Sequence, residues 1–143
     1  MTLPFFYVEE LESEEIRLEE DTSKHVVGVL RMKEGERLHL TDGKGHLAEA
    51  EITDAHKKKC AVKIVSKRYN DAGDRKRVIG ISILKNTSRF EWFLEKATEI
   101  GIKEIIPLVC DRTEKENFRY DRMQGILVSA MLQSQQVWLP VLH

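Results

Sequence analysis

A chain of 143 residues, 41% apolar and 33% charged, has the make-up of one ordinary folded domain or two small ones, which excludes whole-chain disorder. No stretch approaches the eighteen or so uninterrupted apolar residues of a membrane helix, and the opening "MTLPFFYVEE" has no basic segment ahead of an apolar run, so a cytoplasmic location without a membrane partner is expected. The net charge of −1 hides a segregation: residues 1–21 carry −7, residues 22–77 carry +6 and residues 78–143 balance, and a basic middle either meets a polyanion or is simply solvated strand surface.

Asp21, Thr22 and Ser23 offer N-caps to a short helix with the apolar stripe Val26, Val27 and Leu30. Apolar residues then recur at every second position: Leu38 and Leu40; Ala48, Ala50 and Ile52; Cys60, Val62 and Ile64. That period belongs to half-buried strands, and a β-barrel with one inserted helix accounts for residues 1–68. Asp42-Gly43-Lys44-Gly45 supplies hairpin-turn chemistry with Lys44 displayed at its tip. Lys57, Lys58 and Lys59 form a short run that reads as a solvated turn, with a nonspecific attraction to RNA as the alternative. Polar residues carrying the Asn-Asp-Ala-Gly turn signal follow, and the linker is placed at 69–77.

The style changes in residues 78–143. The apolar run "VIGISIL" (78–84) is followed by helical spacing through Phe90, Phe93, Leu94, Ala97 and Ile100, a stop at Gly101, and a second run, "IIPLVC" (105–110). Strand, helix and strand at that spacing predict a βαβ unit and a parallel sheet. A second helix is expected over 119–136, with Met123, Leu127, Ala130 and Ser134 on its apolar face, leading into a strand at "WLPVL". Parallel sheets need helices on both faces, and two helices would give this one roughly half its covering. Cys60 and Cys110, fifty positions apart, form neither a metal knuckle nor a disulfide framework, and the histidines form no ligand-spaced cluster. No metal is expected.

Taken together and in order, "HVVGVLR" (25–31), "DGKG" (42–45), "RFEWFLEKATEIGIKEIIPL" (89–108), "SAMLQS" (129–134) and "LPVL" (139–142) resemble the RsmE family, S-adenosylmethionine-dependent methyltransferases acting on N3 of a uridine in 16S ribosomal RNA. The resemblance implies an α+β protein: a PUA-like RNA-binding β-barrel, then an α/β SPOUT domain with a parallel sheet and a C-terminal knot. It also implies 16S rRNA or the small ribosomal subunit as partner, and a homodimer. The family's cofactor motifs, resembling Gly-Pro-Glu-Gly-Gly and Leu-Arg-x-Glu-Thr-Ala, occur nowhere in this sequence. Residues 78–143 are therefore expected to be the N-terminal part of the catalytic domain, inactive by itself, with the S-adenosylmethionine site beyond His143. Where many members carry Glu-Gln-x-x-Arg, this chain has Leu132-Gln133-Ser134-Gln135-Gln136, so roles of that glutamate and arginine do not transfer.

The candidate RNA-binding residues are Arg31, Lys44, Lys85, Asn86, Arg89, Lys96 and Arg112. Arg31 either grips phosphate or satisfies carbonyls at a helix end; His25, roughly 240° around that helix at about 100° per residue, reads as structural. Lys85, Asn86 and Arg112 follow the C-terminal ends of the two apolar runs, the edge at which open α/β sheets take ligands, or are ordinary loop polar residues. Arg89, Trp92, Lys96 and Glu99 share one helix face, where a tryptophan between cations suits a nucleobase or is a solvated face. No nucleophile, metal site or acid–base pair is legible, so the catalytic residues stay unassigned. A standalone RNA-binding module without catalysis is the alternative reading.

Overall fold

The first strands are ones that the period-two reading does not register. β1 (Phe5–Tyr7) and β2 (Glu15–Arg17) are three residues each and form the two edges of a five-stranded sheet in the computed structural model, which describes residues 3–74, 76–111 and 118–143. Between them and at the centre lie β3 (Arg37–Thr41), β4 (His46–Asp54) and β5 (Ala61–Tyr69), in the order β1-β3-β4-β5-β2. β1 runs parallel to β3, and the other pairs are antiparallel. Register irregularities in the β4–β5 ladder at Glu49/Ala50 and Ile52/Asp54 increase the local bend and twist. The sheet accordingly curls as a half-barrel. Its concave core is the alternating set anticipated from spacing: Leu38, Leu40, Ala48, Ala50, Ile52, Cys60 and Val62 are all essentially sealed from solvent, with Phe6, Leu18, Val26 and Met32 packed among them. Burial raises the Cys60 thiol above its ordinary ionisation range, so it sits there as a neutral, small apolar group.

The inserted helix differs from expectation. α1 (Glu20–Ser23) begins at Glu19, which makes no side-chain cap, and widens into π-helical turns over Lys24–Val29. The amide of Leu30 bonds the carbonyl of His25 at 2.9 Å, the five-residue spacing of a π turn. Asp21, Thr22 and Ser23 are thus inside the helix rather than capping it. Ser23 is fully buried: its hydroxyl donates to the Leu18 carbonyl (3.1 Å) and accepts from the Cys60 amide (2.9 Å), tying the helix to the start of β5. Of the expected stripe, Val26 is in the core but Leu30 is exposed.

A second compact unit begins after Asp71. In it β6 (Val78–Ser82), α2 (Thr87–Glu99), β7 (Glu104–Leu108), α3 (Tyr120–Gln133) and β8 (Val141–Leu142) follow one another, and the strands form a parallel sheet in the order β6-β7-β8. Successive crossovers of one hand that add strands in one direction place their helices on the same side of the sheet. Phe90, Leu94 and Ala97 of α2 and Met123 and Leu127 of α3 accordingly pack with Ile105 and Leu142 in a single cluster. Period two sends the alternate side chains to the other face, where Val78 (47% exposed), Ile106 (37%), Leu108 (41%) and Val141 (50%) lie open beside Gly80. That is the half-covered sheet inferred from the element count. Ile100, expected on the apolar stripe of α2, is instead its C-cap and 66% exposed, because the helix stops at Glu99 and Gly101 (φ +86) reverses the chain.

Candidate nucleic-acid interface

The hairpin between β3 and β4 is built around one carboxylate. Asp42 is only 7% exposed, and its Oδ1 accepts from the amides of Lys44 (2.8 Å) and His46 (3.3 Å). Oδ2 lies 2.6 Å from Nδ1 of His46, and the Thr41 hydroxyl accepts from the Gly43 amide (3.1 Å). Gly43 (φ +71) and Gly45 (φ +95) take left-handed conformations that a Cβ would disfavour. The result is a locked turn that holds the exposed Lys44 outward. His46 and Tyr69 are cross-strand partners with ring centroids 5.2 Å apart. Reading by residue type passes over the Asp42–His46 pair, although the spacing Asp-x-x-x-His across a Gly-x-Gly turn carries the signal. Arg31 follows the π-helical turns, is exposed, and has φ +53; such a backbone marks it as the residue that terminates the helix.

In the second unit Lys85, Asn86 and Arg89 come together just past the C-terminal end of β6. Asn86 is the N-cap of α2, its side chain accepting from the Arg89 amide at 3.2 Å. The cap therefore fixes where Arg89 leaves the first turn, and Arg89 is exposed. Trp92, one turn on, is 62% exposed. Lys96, on the same helix, is paired: it bonds Glu99 (3.3 Å) and lies 3.6 Å from Glu95, and the hydrogen bond and charge of Glu99 raise its ionisation above the ordinary lysine range. A lysine so engaged is a poorer phosphate ligand than Arg89. Arg122 of α3 is likewise paired, to Glu91. Arg112 lies outside the described residues.

The described residues between β6 and α2 do not fit S-adenosylmethionine by themselves. No glycine-rich loop joins β6 to α2, where the sequence reads Ile83-Leu84-Lys85-Asn86, and the Asn86 side-chain oxygen is committed to the helix cap. A cavity of about 360 Å³ in this unit opens at the opposite, N-terminal edge of the strands, bordered by Lys76, Lys103, Trp138 and Val141. Among the described residues no cluster of His, Cys, Asp and Glu could hold a metal ion, and no helix is long and apolar enough to cross a membrane.

Comparison with known proteins agrees with both halves. Residues 18–65 match the RNA methyltransferase PUA domain and residues 74–143 the RNA methyltransferase domain. Ribosomal RNA small subunit methyltransferase E of Rickettsia conorii is 25% identical over 133 residues, covering 92% of this chain and 54% of that protein. The crystal structure of a probable rRNA-methyltransferase from Porphyromonas gingivalis superposes with a TM-score of 0.87 at 36% identity, over 99% of this chain and 59% of that one. Ribosomal RNA small subunit methyltransferase E of Neisseria gonorrhoeae, solved bound to S-adenosyl methionine, superposes with a TM-score of 0.83 at 26% identity, over 99% of this chain and 60% of that one. The chain thus spans about half the length of the Rickettsia relative.

Proposed function

The chain belongs to the RsmE family of RNA methyltransferases, and on that premise we propose that it serves the S-adenosylmethionine-dependent methylation of ribosomal RNA in the cytoplasm, with N3 of a uridine in 16S rRNA as the acceptor. The observation that carries the reading is the pairing, in one chain, of a curled PUA-type sheet with a basic hairpin tip and a parallel α/β sheet whose C-terminal edge presents Lys85 and Arg89. The domain plan proposed is 1–68 for RNA binding, 69–77 as linker and 78–143 as the N-terminal part of the catalytic domain.

Methyl transfer to a ring nitrogen needs a positioned donor, loss of the N3 proton and exclusion of water, and positioning contributes heavily. S-adenosylmethionine supplies the methyl group. The residues of this chain supply positioning: Lys44 and Arg31 from the first unit, and Lys85 and Arg89 from the second, attract and orient the phosphate backbone, Arg89 with a fork suited to bidentate contact. The open face at Val78, Ile106, Leu108 and Val141 is where we place the remaining layer of the complete catalytic domain, whether from the further length that the relatives have or from a second copy in a homodimer. The misfit between the described residues and the cofactor favours one alternative, an RNA-binding module without catalysis.

Replacing Lys44 or Arg89 by glutamine is expected to weaken binding of a 16S rRNA fragment and of unrelated structured RNA alike, and to reduce the slope of log K against log salt by about 1 for each phosphate no longer neutralised. Lys96→Gln, at a cation already shared by Glu95 and Glu99, should reduce both less than Arg89→Gln does. Fluorescence anisotropy with end-labelled RNA measures both, and a Lys44→Gln slope equal to that of the unmodified chain would count against the assignment.

A further inference from the structure

The cavity at the N-terminal edge of the parallel sheet has features that the proposed function leaves unused. It lies across the sheet from Lys85 and Arg89, about 16 Å away at roughly 3.3 Å per residue along a five-residue strand. Its walls are mainly apolar, from Ile102, Trp138, Leu139 and Val141, with a few polar groups among them, the composition of a ligand site rather than of a solvated crevice. Lys103 holds its ammonium 5.2 Å from the centre of the Trp138 ring. Its backbone is clamped on both sides, the amide donating to the Arg77 carbonyl (3.0 Å) and the carbonyl accepting from the Val141 amide (2.9 Å).

The neighbouring acid is already engaged. The Glu104 carboxylate lies 3.7 Å from both Lys76 and His143, whereas among the described residues no carboxylate pairs with Lys103. The exposed Asp74 also borders the cavity, so the site is not a simple cation patch for phosphate. It offers an indole, an apolar floor and, besides the Lys76 ammonium that lies by Glu104, the backbone-anchored Lys103 as ammonium donor. That combination suits a planar, carbonyl-bearing ring better than an isolated anion, since stacking on an aromatic side chain is insensitive to net charge.

We propose that this cavity receives one unstacked nucleotide of the RNA strand, its base against Trp138, with the Lys103 ammonium donating to a carbonyl oxygen of the base. The assignment rests on the reading of this chain as one that handles RNA, and it adds a second contact on the far edge of the sheet from the first. Single-stranded RNA is the form that fits, because bases in a helix cannot turn out onto an aromatic platform.

The test uses the full chain carrying Trp92→Phe, which leaves Trp138 as the sole tryptophan. Oligouridylate of about eight residues, within the usual span of single-strand sites, should quench its emission saturably, and Lys103→Gln should weaken that binding about tenfold, as expected for loss of a charge-assisted hydrogen bond. Trp138→Leu, read by anisotropy of labelled RNA, should do the same; Lys103→Gln keeps the test valid if the leucine variant fails to fold. RNA that binds without changing the emission, and equally well to Lys103→Gln, would overturn the cavity assignment while leaving the RNA-binding reading intact. Quenching by uridine monophosphate but not by the oligonucleotide would instead make this a free-nucleotide site and overturn the strand assignment. No RNA binding by the unmodified chain, with both tryptophans in place, would overturn both.

Discussion

Leu127→Ala should destabilise the second unit by about 3 kcal/mol, within the usual range of about 2–5 kcal/mol for emptying a leucine site in a packed core. Leu127 is completely buried, in a cluster with Phe90, Leu94, Met123 and Ile105. Those residues draw their burial from one face of the sheet only, since the other is open at Ile106, Leu108 and Val141. A layer with half its covering has little reserve, so a loss of this size is expected to unfold residues 72–143 while the half-barrel persists. Amide hydrogen exchange separates the two: protection in α2, α3 and β7 should collapse, and protection in β3, β4 and β5 should remain. Simultaneous loss in both sets would show that the units do not carry their stability separately.

Asp42→Ala is expected to cost about 2 kcal/mol in the first unit, from leaving the Lys44 and His46 amides and the His46 ring without their acceptor. A donor stranded away from water costs roughly 1–3 kcal/mol, and the turn's surface position lets solvent recover part of it. Asp42→Asn keeps one side-chain oxygen for the amides and removes the charge, so it should lose only about half as much. Both variants should weaken RNA binding more than their stability loss accounts for, because Lys44 is displayed by that turn. Chemical denaturation gives the first quantity and anisotropy the second. A destabilised Asp42→Ala chain that binds RNA at full strength would detach the turn from RNA contact.

The parts of the fold set by periodicity are legible in the sequence. Leu38, Leu40, Ala48, Ala50, Ile52 and Val62 announce their inward face by spacing alone, and the shift to continuous apolar runs around α2 announces parallel strands. β1 and β2 are not, because three residues give too short a pattern and their pairing partners are distant: Phe5 meets His39, and Ile16 meets Val62. The capping expectation for Ser23 fails because its acceptor role is set by Cys60, 37 residues away. The π-helical turns over Lys24–Val29, which carry Val26 into the core, have no local propensity signal. At the candidate interface, residue type points to Lys44 and Arg89. It cannot show that Lys96 is held by Glu95 and Glu99 or that Asn86 caps α2, since both depend on which way side chains turn. Trp138 and Lys103 are far apart in the chain and meet only when β8 joins β7.

The most direct measurement is the affinity of the unmodified chain for a 16S rRNA fragment between about 50 and 200 mM salt, the range over which counterion release is read. With Arg31, Lys44, Lys85 and Arg89 each meeting phosphate, log K should fall linearly with log salt at a slope of about −3, at roughly −0.7 to −0.9 per phosphate. A flat dependence, or no binding at the lowest salt, would contradict the account of this chain as the RNA-gripping part of an rRNA methyltransferase.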